Sequence, residues 1–268
     1  MGARQSEGAH LGLVTTAGLV LLALFGGVLA ALSLIPEPTC PDATLVFARG
    51  SGQDVGAGDA TMFFALVYER RGDLRLDHME LDYPAAGGRE ILVGARLGAL
   101  GGGSGQRYRA SVDDGRRALV PVVAELLDEC PHQQIVLGGF SQGAQVIGEG
   151  LFDLPAADRS PIAFVALFGD PTLLTNGQGA LPRACFGDHR PWRRGSIRCY
   201  QDGGVLGPRD PYVPLDIEDR VGSWCDRRDG ICNGNEALFL AEAHGEYSAE
   251  EMPEAADEIV DRLTDRGR

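Results

Sequence analysis

The chain has 268 residues, a formal net charge of −14 and a sequence pI near 4.7. Its composition, 44% apolar and 7% aromatic, is typical of a globular core, and its negative charge argues against binding to nucleic acid. The sequence contains Arg but no Lys. This excludes a phosphate-binding loop built around Lys and Schiff-base chemistry, which requires an amine.

The N-terminal region contains an uncharged apolar stretch over residues 11–35, preceded by a polar segment over residues 1–10. As a helix this stretch spans roughly 37 Å, against about 30 Å for the hydrocarbon core of a bilayer. Arg4 precedes it, while Glu37 and Asp42 follow it, which predicts a cytoplasmic N-terminus and an exported remainder. A retained transmembrane anchor and a cleaved signal peptide explain the stretch equally well.

Six cysteines in an exported chain predict disulfide bonds. They are Cys40, Cys130, Cys185, Cys199, Cys225 and Cys232. The spacing of the last two invites a short local loop, and so does that of the third and fourth, which leaves the first two to pair. The sequence has no C-x-x-C motif, so a zinc site is disfavoured and no metal is expected.

Short apolar runs alternate with helical patterns along the exported domain, which we place at residues 40–268. The strands are predicted over Ala43–Ala48, Leu76–Tyr83, Gln134–Phe140, Ile162–Phe168 and Arg220–Cys225. The helices are predicted over Tyr108–Leu127, Gln142–Leu151 and the tail from Ala249. The Gly-rich stretch from Glu90 to Gly105 is predicted to be a surface loop. This alternation predicts a three-layer α/β domain with a mostly parallel central sheet.

One motif lies at the break between a predicted strand and a predicted helix: Gly139-Phe140-Ser141-Gln142-Gly143, or G-x-S-x-G. A strand that turns sharply into a helix holds the serine in a strained conformation, and side chains two positions before and after it would collide. Because the turn exposes the serine hydroxyl at the carboxyl edge of the sheet, we identify Ser141 as a candidate nucleophile.

A serine nucleophile needs a histidine base and an acid, and in this architecture they follow it in the order acid, then histidine. His244 follows the last predicted strand and is the candidate base, whereas His189 lies in an Arg-rich stretch typical of a surface. Asp229 lies between the last two cysteines, where a disulfide loop would fix it at a gain of about 2.5 kcal/mol. Asp226 shares this loop and is its main rival.

Three segments together resemble the cutinases and the cutinase-like serine esterases of bacteria. They are FARGS at 47–51, CPHQQIVLGGFSQGAQV at 130–146, and CDRRDGIC at 225–232 followed by His244. The resemblance covers residues 40–247. It implies an α/β-hydrolase fold without a large lid, and it implies pairing of Cys40 with Cys130 and of Cys225 with Cys232.

The resemblance also implies roles for individual residues. It assigns Ser141 as the nucleophile, His244 as the base and Asp229 as the acid, which decides between the two candidate acids. It implies that the backbone N–H groups of Ser51 and Gln142 form the oxyanion hole. Two features depart from the family: residues 181–219 are long and carry an extra cysteine pair, and residues 97–105 give no match to the family's binding loop. Three apolar residues before the histidine are expected either to border the acyl site or to form a buried helix face: Leu238, Phe239 and Leu240.

The expected reaction is hydrolysis of an acyl, lipid or polyester ester through an acyl-enzyme, without a cofactor. Activity is expected to fall near pH 6–7, where an unperturbed imidazole takes up a proton. The alternatives are a phospholipase A or thioesterase acting on envelope lipids, or a non-catalytic protein of the envelope. We expect a monomer outside the cell or in its envelope, anchored to the membrane through residues 11–35 if that segment is retained.

Overall fold

A computed structural model provides the coordinates. It describes residues 40–56, 58–87, 103–174, 203–226, 229–232, 243–245, 247 and 251–266. The chain divides into two compact units, residues 1–40 and 41–268. The anchor or signal predicted over residues 11–35 therefore lies outside the described residues. Within the described part, no helix has both the length and the apolar character needed to cross a membrane.

The second unit is built around a five-stranded, fully parallel sheet in the order β2-β1-β3-β4-β5. The strands are β1 Ala43–Ala48, β2 Leu76–Glu80, β3 Gln134–Phe140, β4 Ile162–Phe168 and β5 Val221–Trp224. Every residue of β1 and β4 is buried, as expected for strands covered on both faces. The predicted bounds of β1, β3 and β4 are confirmed, whereas β2 and β5 are shorter than predicted.

Five α-helices of the described residues surround this sheet. They are α1 Asp59–Arg70, α2 Gly103–Glu129, α3 Gln142–Asp153, α4 Ala156–Arg159 and α5 Glu251–Arg266. Residues of α2 and α3 form the apolar core on one face, and residues of α1 and α5 form the core on the other. The predicted three-layer α/β arrangement is confirmed.

Helix α1 was missed in the sequence, and the start of α2 was predicted too late. The buried residues of α1, namely Ala60, Phe63, Phe64 and Val67, follow helical spacing, so the periodic signal was present. Helix α2 begins inside the predicted Gly-rich loop and continues through Pro121. Its buried residues Tyr108 and Val112 pack into the core, and this tertiary contact outweighs the weak local helix propensity of the glycines.

The register of the sheet brings the carboxyl ends of four strands to one edge. Ala48 pairs with Gly139, Phe140 pairs with Phe168, and Phe168 pairs with Trp224. The segments that follow these strands therefore emerge side by side. Among the predicted site residues, Ser51 follows β1, Ser141 follows β3, and Asp229 and His244 follow β5.

Candidate active site

Ser141 lies on a sharp turn between β3 and α3. Its φ of 54° and ψ of −116° are unusual for a residue with a side chain. The turn is held by hydrogen bonds on both sides, since the Ser141 N–H donates to the Phe168 carbonyl at 2.8 Å and the Gln145 N–H donates to the Ser141 carbonyl at 3.2 Å. The turn therefore places Ser141 directly after β3, at the carboxyl end of the sheet.

The two glycines of the motif are required by close backbone packing. A Cβ atom on Gly139 would overlap the carbonyl group of Gly143. A Cβ atom on Gly143 would overlap the carbonyl of Ala48 at the end of the neighbouring strand. The collision expected from the sequence is therefore present at Gly139, while at Gly143 the obstacle is a strand that only the tertiary structure brings into contact.

The structure brings Ser141, His244 and Asp229 together. His244 Nε2 lies 2.8 Å from Ser141 Oγ, and His244 Nδ1 lies 2.7 Å from Asp229 Oδ2. The histidine belongs to a short 3₁₀ helix over Ala243–Gly245 and has a side chain that is only 17% exposed. The three side chains form one continuous chain of hydrogen bonds from the hydroxyl to a fully buried carboxylate.

The carboxylate of Asp229 is fixed by its own loop. Cys225 and Cys232 form a disulfide with a Cα–Cα distance of 5.9 Å, and the Asp229 N–H closes a turn onto the Asp226 carbonyl at 2.9 Å. The Ile231 N–H donates to Asp229 Oδ1 at 2.8 Å, which leaves Oδ2 for His244. Within the loop, the acid that contacts the histidine is therefore Asp229, and Asp226 contributes to the turn.

The imidazole of His244 lies next to Phe140 and Gly169. The Phe140 ring lies 4.9 Å from it between centroids, at an interplanar angle of 33°. Gly169, directly after β4, has a φ of 62°, and a Cβ atom there would lie 2.9 Å from His244 Cε1 and 3.2 Å from Asp229 Oδ2. A side chain at Gly169 would thus crowd both partners. This residue was not predicted from the sequence, although Gly169-Asp170-Pro171 directly follows a buried strand, where a turn is expected.

The loop that follows β1 is held in place by Arg49, which is 6% exposed. Its guanidinium donates to three carbonyls, those of Gln53 at 3.0 Å, Leu81 at 3.2 Å and Tyr83. The Tyr83 hydroxyl donates back to the Arg49 carbonyl. A buried cation with several acceptors rigidifies the chain around it, so the backbone at Ser51 is held on both sides.

Gln53 joins this loop to the start of α1. Its Oε1 accepts the Gly50 N–H at 2.7 Å, and its Nε2 donates to Asp59 Oδ2 at 2.5 Å. Burial raises the pKa of the Asp59 carboxyl, against the lowering effects of the Gln53 hydrogen bond and of His244. Asp59 is therefore an acidic group near the histidine that the sequence analysis did not single out.

The two residues expected to form the oxyanion hole follow two neighbouring strands, β1 and β3. Ser51 follows β1, and Gln142 is the first residue of α3. The Gln142 side chain donates to the Ala86 carbonyl at 2.7 Å and accepts from the Ser111 hydroxyl at 3.2 Å. Within the part of the chain that the structure describes, neither the Ser51 N–H nor the Gln142 N–H donates a hydrogen bond. Both donors are available to an added acceptor.

A further buried carboxylate lies two residues after the end of β4. Asp170 is fully buried and accepts from Arg209 and from the Tyr212 hydroxyl, both at 2.9 Å to Oδ2. Its other oxygen accepts the Thr172 N–H at 2.8 Å and the Thr172 hydroxyl at 2.7 Å. Burial and the charge of Asp170 raise the pKa of Tyr212 well above its usual range, so the phenol remains a donor. This group ties residues 209–212 to the end of β4 and does not contact Ser141.

Some of the predicted site residues cannot be placed. Leu238, Phe239 and Leu240, expected at the acyl site, lie outside the described residues, as do Cys185 and Cys199. Cys40 and Cys130 are each disulfide-bonded, and their mutual pairing stays a prediction.

A cluster of potential metal ligands coincides with the acid loop: Cys225, Asp229 and Cys232. Its two cysteines are joined to each other, and a disulfide lacks the thiolate that binds metal. The cluster does not fit a metal ion.

Comparisons with known proteins agree on one family. Carboxylesterase Culp1 of Mycobacterium tuberculosis is 33% identical over 148 residues, covering 53% of this chain and 59% of its own length. A cutinase of Botryotinia fuckeliana is 28% identical over 227 residues, covering 81% of this chain and 86% of that protein. Phospholipase Culp4 of Mycobacterium tuberculosis is 29% identical over 170 residues, 57% of this chain and 66% of that protein.

The fold has solved counterparts. The structure of an acetylxylan esterase superposes with a TM-score of 0.64 at 20% identity, covering 84% of this chain and all of that one. At this identity the match shows the fold alone. The family model for Cutinase matches residues 39–263, which is most of the chain. The parallel sheet between two helical layers and the serine on the turn after its central strand are consistent with this match. The chain belongs to the Cutinase family.

Proposed function

We propose that the protein is an exported serine carboxylesterase that hydrolyses acyl or lipid esters. The observation that supports this most directly is the hydrogen-bonded series Ser141 Oγ, His244 Nε2, His244 Nδ1 and Asp229 Oδ2, with separations of 2.8 and 2.7 Å. A serine hydroxyl is a weak nucleophile until a base accepts its proton, and this series provides the base and the acid that orients it. The disulfide-bonded cysteines agree with export.

The proposed reaction proceeds through a covalent acyl-enzyme. Ser141 Oγ attacks the ester carbonyl while its proton passes to His244 Nε2, and Asp229 stabilises the imidazolium through Nδ1–H. The tetrahedral intermediate collapses as His244 returns the proton to the leaving alkoxide. Water then attacks the acyl-enzyme with His244 again as base, releasing the acid and restoring the serine. No cofactor takes part in these steps.

The negative oxygen of the intermediate needs donors that are already in place. We assign this role to the backbone N–H groups of Ser51 and Gln142, which lack acceptors among the described residues. Removal of one such donor costs about 2.7–4 kcal/mol of transition-state stabilisation in other enzymes. Two features support rigid positions for these groups. The Arg49 side chain holds the loop that contains Ser51, and the Gln142 side chain is hydrogen-bonded to Ser111 and Ala86.

The substrate class is tested by a panel assayed with the full chain. We expect hydrolysis of p-nitrophenyl esters, with a chain-length preference that reports the depth of the acyl site. Phospholipase A activity is the second candidate because a relative, Culp4, carries that name. Release of fatty acid from phospholipid vesicles at a rate above that for any simple ester would favour the second candidate. Failure on both classes and on thioesters would contradict the proposed function.

The pH dependence of hydrolysis tests the role of His244. The base must be neutral to accept the serine proton, so activity is lost as pH falls and the imidazole protonates. We expect log(kcat/KM) to fall by about one per pH unit on the acid side of this protonation. Circular dichroism at each pH is the control for unfolding. A rate that stays constant from about pH 8 to pH 5 would contradict this role.

The contribution of the loop after β1 is tested by Gln53→Leu, which keeps the size of the side chain but removes both amide hydrogen bonds. The Gly50 N–H loses its acceptor, so the adjacent Ser51 N–H is no longer fixed. We expect kcat/KM to fall by about 10–100-fold, mainly through kcat, because a small displacement of a preorganised donor is costly. Steady-state kinetics with one p-nitrophenyl ester measures this.

A matched control is Gln133→Leu. Gln133 is buried, whereas Gln53 is partly exposed, but its amide likewise holds two segments together. It accepts the Thr44 hydroxyl at 2.6 Å and lies next to the start of β3, at the opposite edge of the sheet. Each variant is expected to lose about 1–3 kcal/mol of unfolding free energy, but only Gln53→Leu should lose kcat. Equal effects of the two variants on kcat would show that Gln53 acts through stability alone.

A further inference from the structure

The Asp229 carboxylate has a third partner that the proposed mechanism does not use. The Tyr247 hydroxyl lies 2.5 Å from Asp229 Oδ2, the same oxygen that lies 2.7 Å from His244 Nδ1. Tyr247 is 1% exposed, and its ring lies 6.0 Å from the Phe140 ring and 6.1 Å from the Phe168 ring. The phenol is therefore held against the carboxylate by the ends of β3 and β4.

The direction of the hydrogen bond follows from the other contacts of the hydroxyl. The Asp226 N–H donates to the Tyr247 oxygen at 3.1 Å, which uses that oxygen as an acceptor. Burial and the negative charge of Asp229 raise the pKa of the Tyr247 phenol well above its usual range, so the hydroxyl keeps its proton. Among the carboxylates of the described residues, that of Asp229 lies within hydrogen-bonding distance of this proton, and the other neighbour of the hydroxyl, Cys232 Sγ at 3.3 Å, is a disulfide sulfur and only a weak acceptor.

We propose that Tyr247 is a positioning residue of the active site, whose hydroxyl holds Asp229 Oδ2 in place for His244 and withdraws part of its negative charge. Without this donor, the carboxylate has one hydrogen bond fewer and interacts more strongly with a positive charge on the imidazole. A stronger interaction favours the protonated base, so the histidine would lose its proton only at higher pH. The hydroxyl thus favours the neutral form of the base.

Other charged groups face this pair and are unchanged by the test. His244 lowers the pKa of Asp59, at the start of α1, and Glu251, at the start of α5, raises the pKa of Tyr247. The negative charge of Asp170, just after β4, is compensated by Arg209 at 2.9 Å. Since all three remain in a Tyr247 variant, a change in pH dependence is attributable to the lost hydroxyl.

The inference rests on the proposed function and is tested by Tyr247→Phe in the full chain, a change that keeps the packed ring. We expect the midpoint of the acid limb of kcat/KM to rise by about 0.5–1 pH unit. On the alkaline plateau we expect kcat to fall about threefold to tenfold with KM unchanged, since the acid is held less firmly. A midpoint that stays in place or moves to lower pH overturns the proposal.

Tyr212→Phe is the matched control. Tyr212 is equally buried, and its hydroxyl also bonds a buried carboxylate, that of Asp170, which does not contact the histidine. We expect this variant to lose thermal stability comparably while its acid limb coincides with that of the wild type. A similar shift in both variants would overturn the proposal, because the effect would then come from general loosening of the structure.

A second readout does not depend on activity. An NMR titration of the His244 Cε1–H signal, assigned by its absence in His244→Gln, follows protonation of the imidazole directly. Tyr247→Phe should move this titration to higher pH, in step with the kinetic midpoint. If the wild type hydrolyses no ester, the proposed function fails while the titration still decides the role of Tyr247; if the wild type is active and the titration does not move, only the role of Tyr247 fails.

Discussion

Ser141→Ala is expected to abolish ester hydrolysis, lowering kcat by about 10⁶-fold. The substitution removes the only atom that forms the acyl-enzyme in the proposed mechanism, while the turn, the oxyanion donors and His244 stay in place. A fluorophosphonate probe, which reacts with activated serines, should label the wild type with one equivalent and leave Ser141→Ala unlabelled. Intact-protein mass spectrometry measures the labelling, and p-nitrophenyl ester kinetics measures kcat.

Ser223→Ala is the control for this experiment. Ser223 is a buried serine of β5 whose hydroxyl lies 3.0 Å from the Tyr212 hydroxyl, away from the proposed nucleophile. We expect it to be labelled at the wild-type rate. Labelling that persists in Ser141→Ala would place the reactive serine elsewhere. A wild type that folds but neither reacts with the probe nor hydrolyses esters would favour the non-catalytic alternative.

Asp229→Asn is expected to lower kcat by about 10⁴-fold with little change in KM. The amide nearly matches the carboxylate in shape, but it donates where the carboxylate accepted. His244 Nδ1 must then accept this hydrogen bond, which places the imidazole proton on Nε2, facing Ser141 Oγ. A protonated Nε2 cannot take the serine proton, so the nucleophile is not activated.

Asp226→Asn separates the role of the acid from the integrity of its loop. Both residues lie between Cys225 and Cys232, and it is Asp229 whose Oδ2 lies 2.7 Å from His244 Nδ1. We expect the Asp226 variant to keep kcat within severalfold, and thermal unfolding of each variant reports any loss of stability. Comparable losses of kcat in the two variants would reject a specific role for Asp229 as the acid.

The sequence was informative wherever the signal is local. Continuous apolar runs predicted β1, β3 and β4 with the bounds that are observed, because strands buried on both faces must be apolar throughout. The G-x-S-x-G motif predicted the turn at Ser141 for a similar reason, since the constraint on Gly139 arises from Gly143, four positions along the chain. Helix α1 was missed although its buried residues follow helical spacing, because its start carries no capping side chain to mark it.

The sequence was least informative wherever a residue acts through a distant partner. Nothing local marks Gly169 as the space for His244. Nothing in the sequence distinguishes Tyr247 from other tyrosines, because its contact with Asp229 forms only when the acid loop folds against it. In each case the interaction requires two segments that meet only when parallel strands align their carboxyl ends.

The sequence by itself determined the α/β class, the bounds of the central strands and three candidate residues in the order serine, acid, histidine. It did so because burial, chain reversal and the chemistry of a nucleophile restrict which residue types are allowed at each position. Only the tertiary structure decided the distances between these residues, the backbone donors that remain available and the groups that orient the acid. Those properties depend on side chains far apart along the chain: His244 lies 103 positions from Ser141 and 15 from Asp229, and strand register brings their segments together.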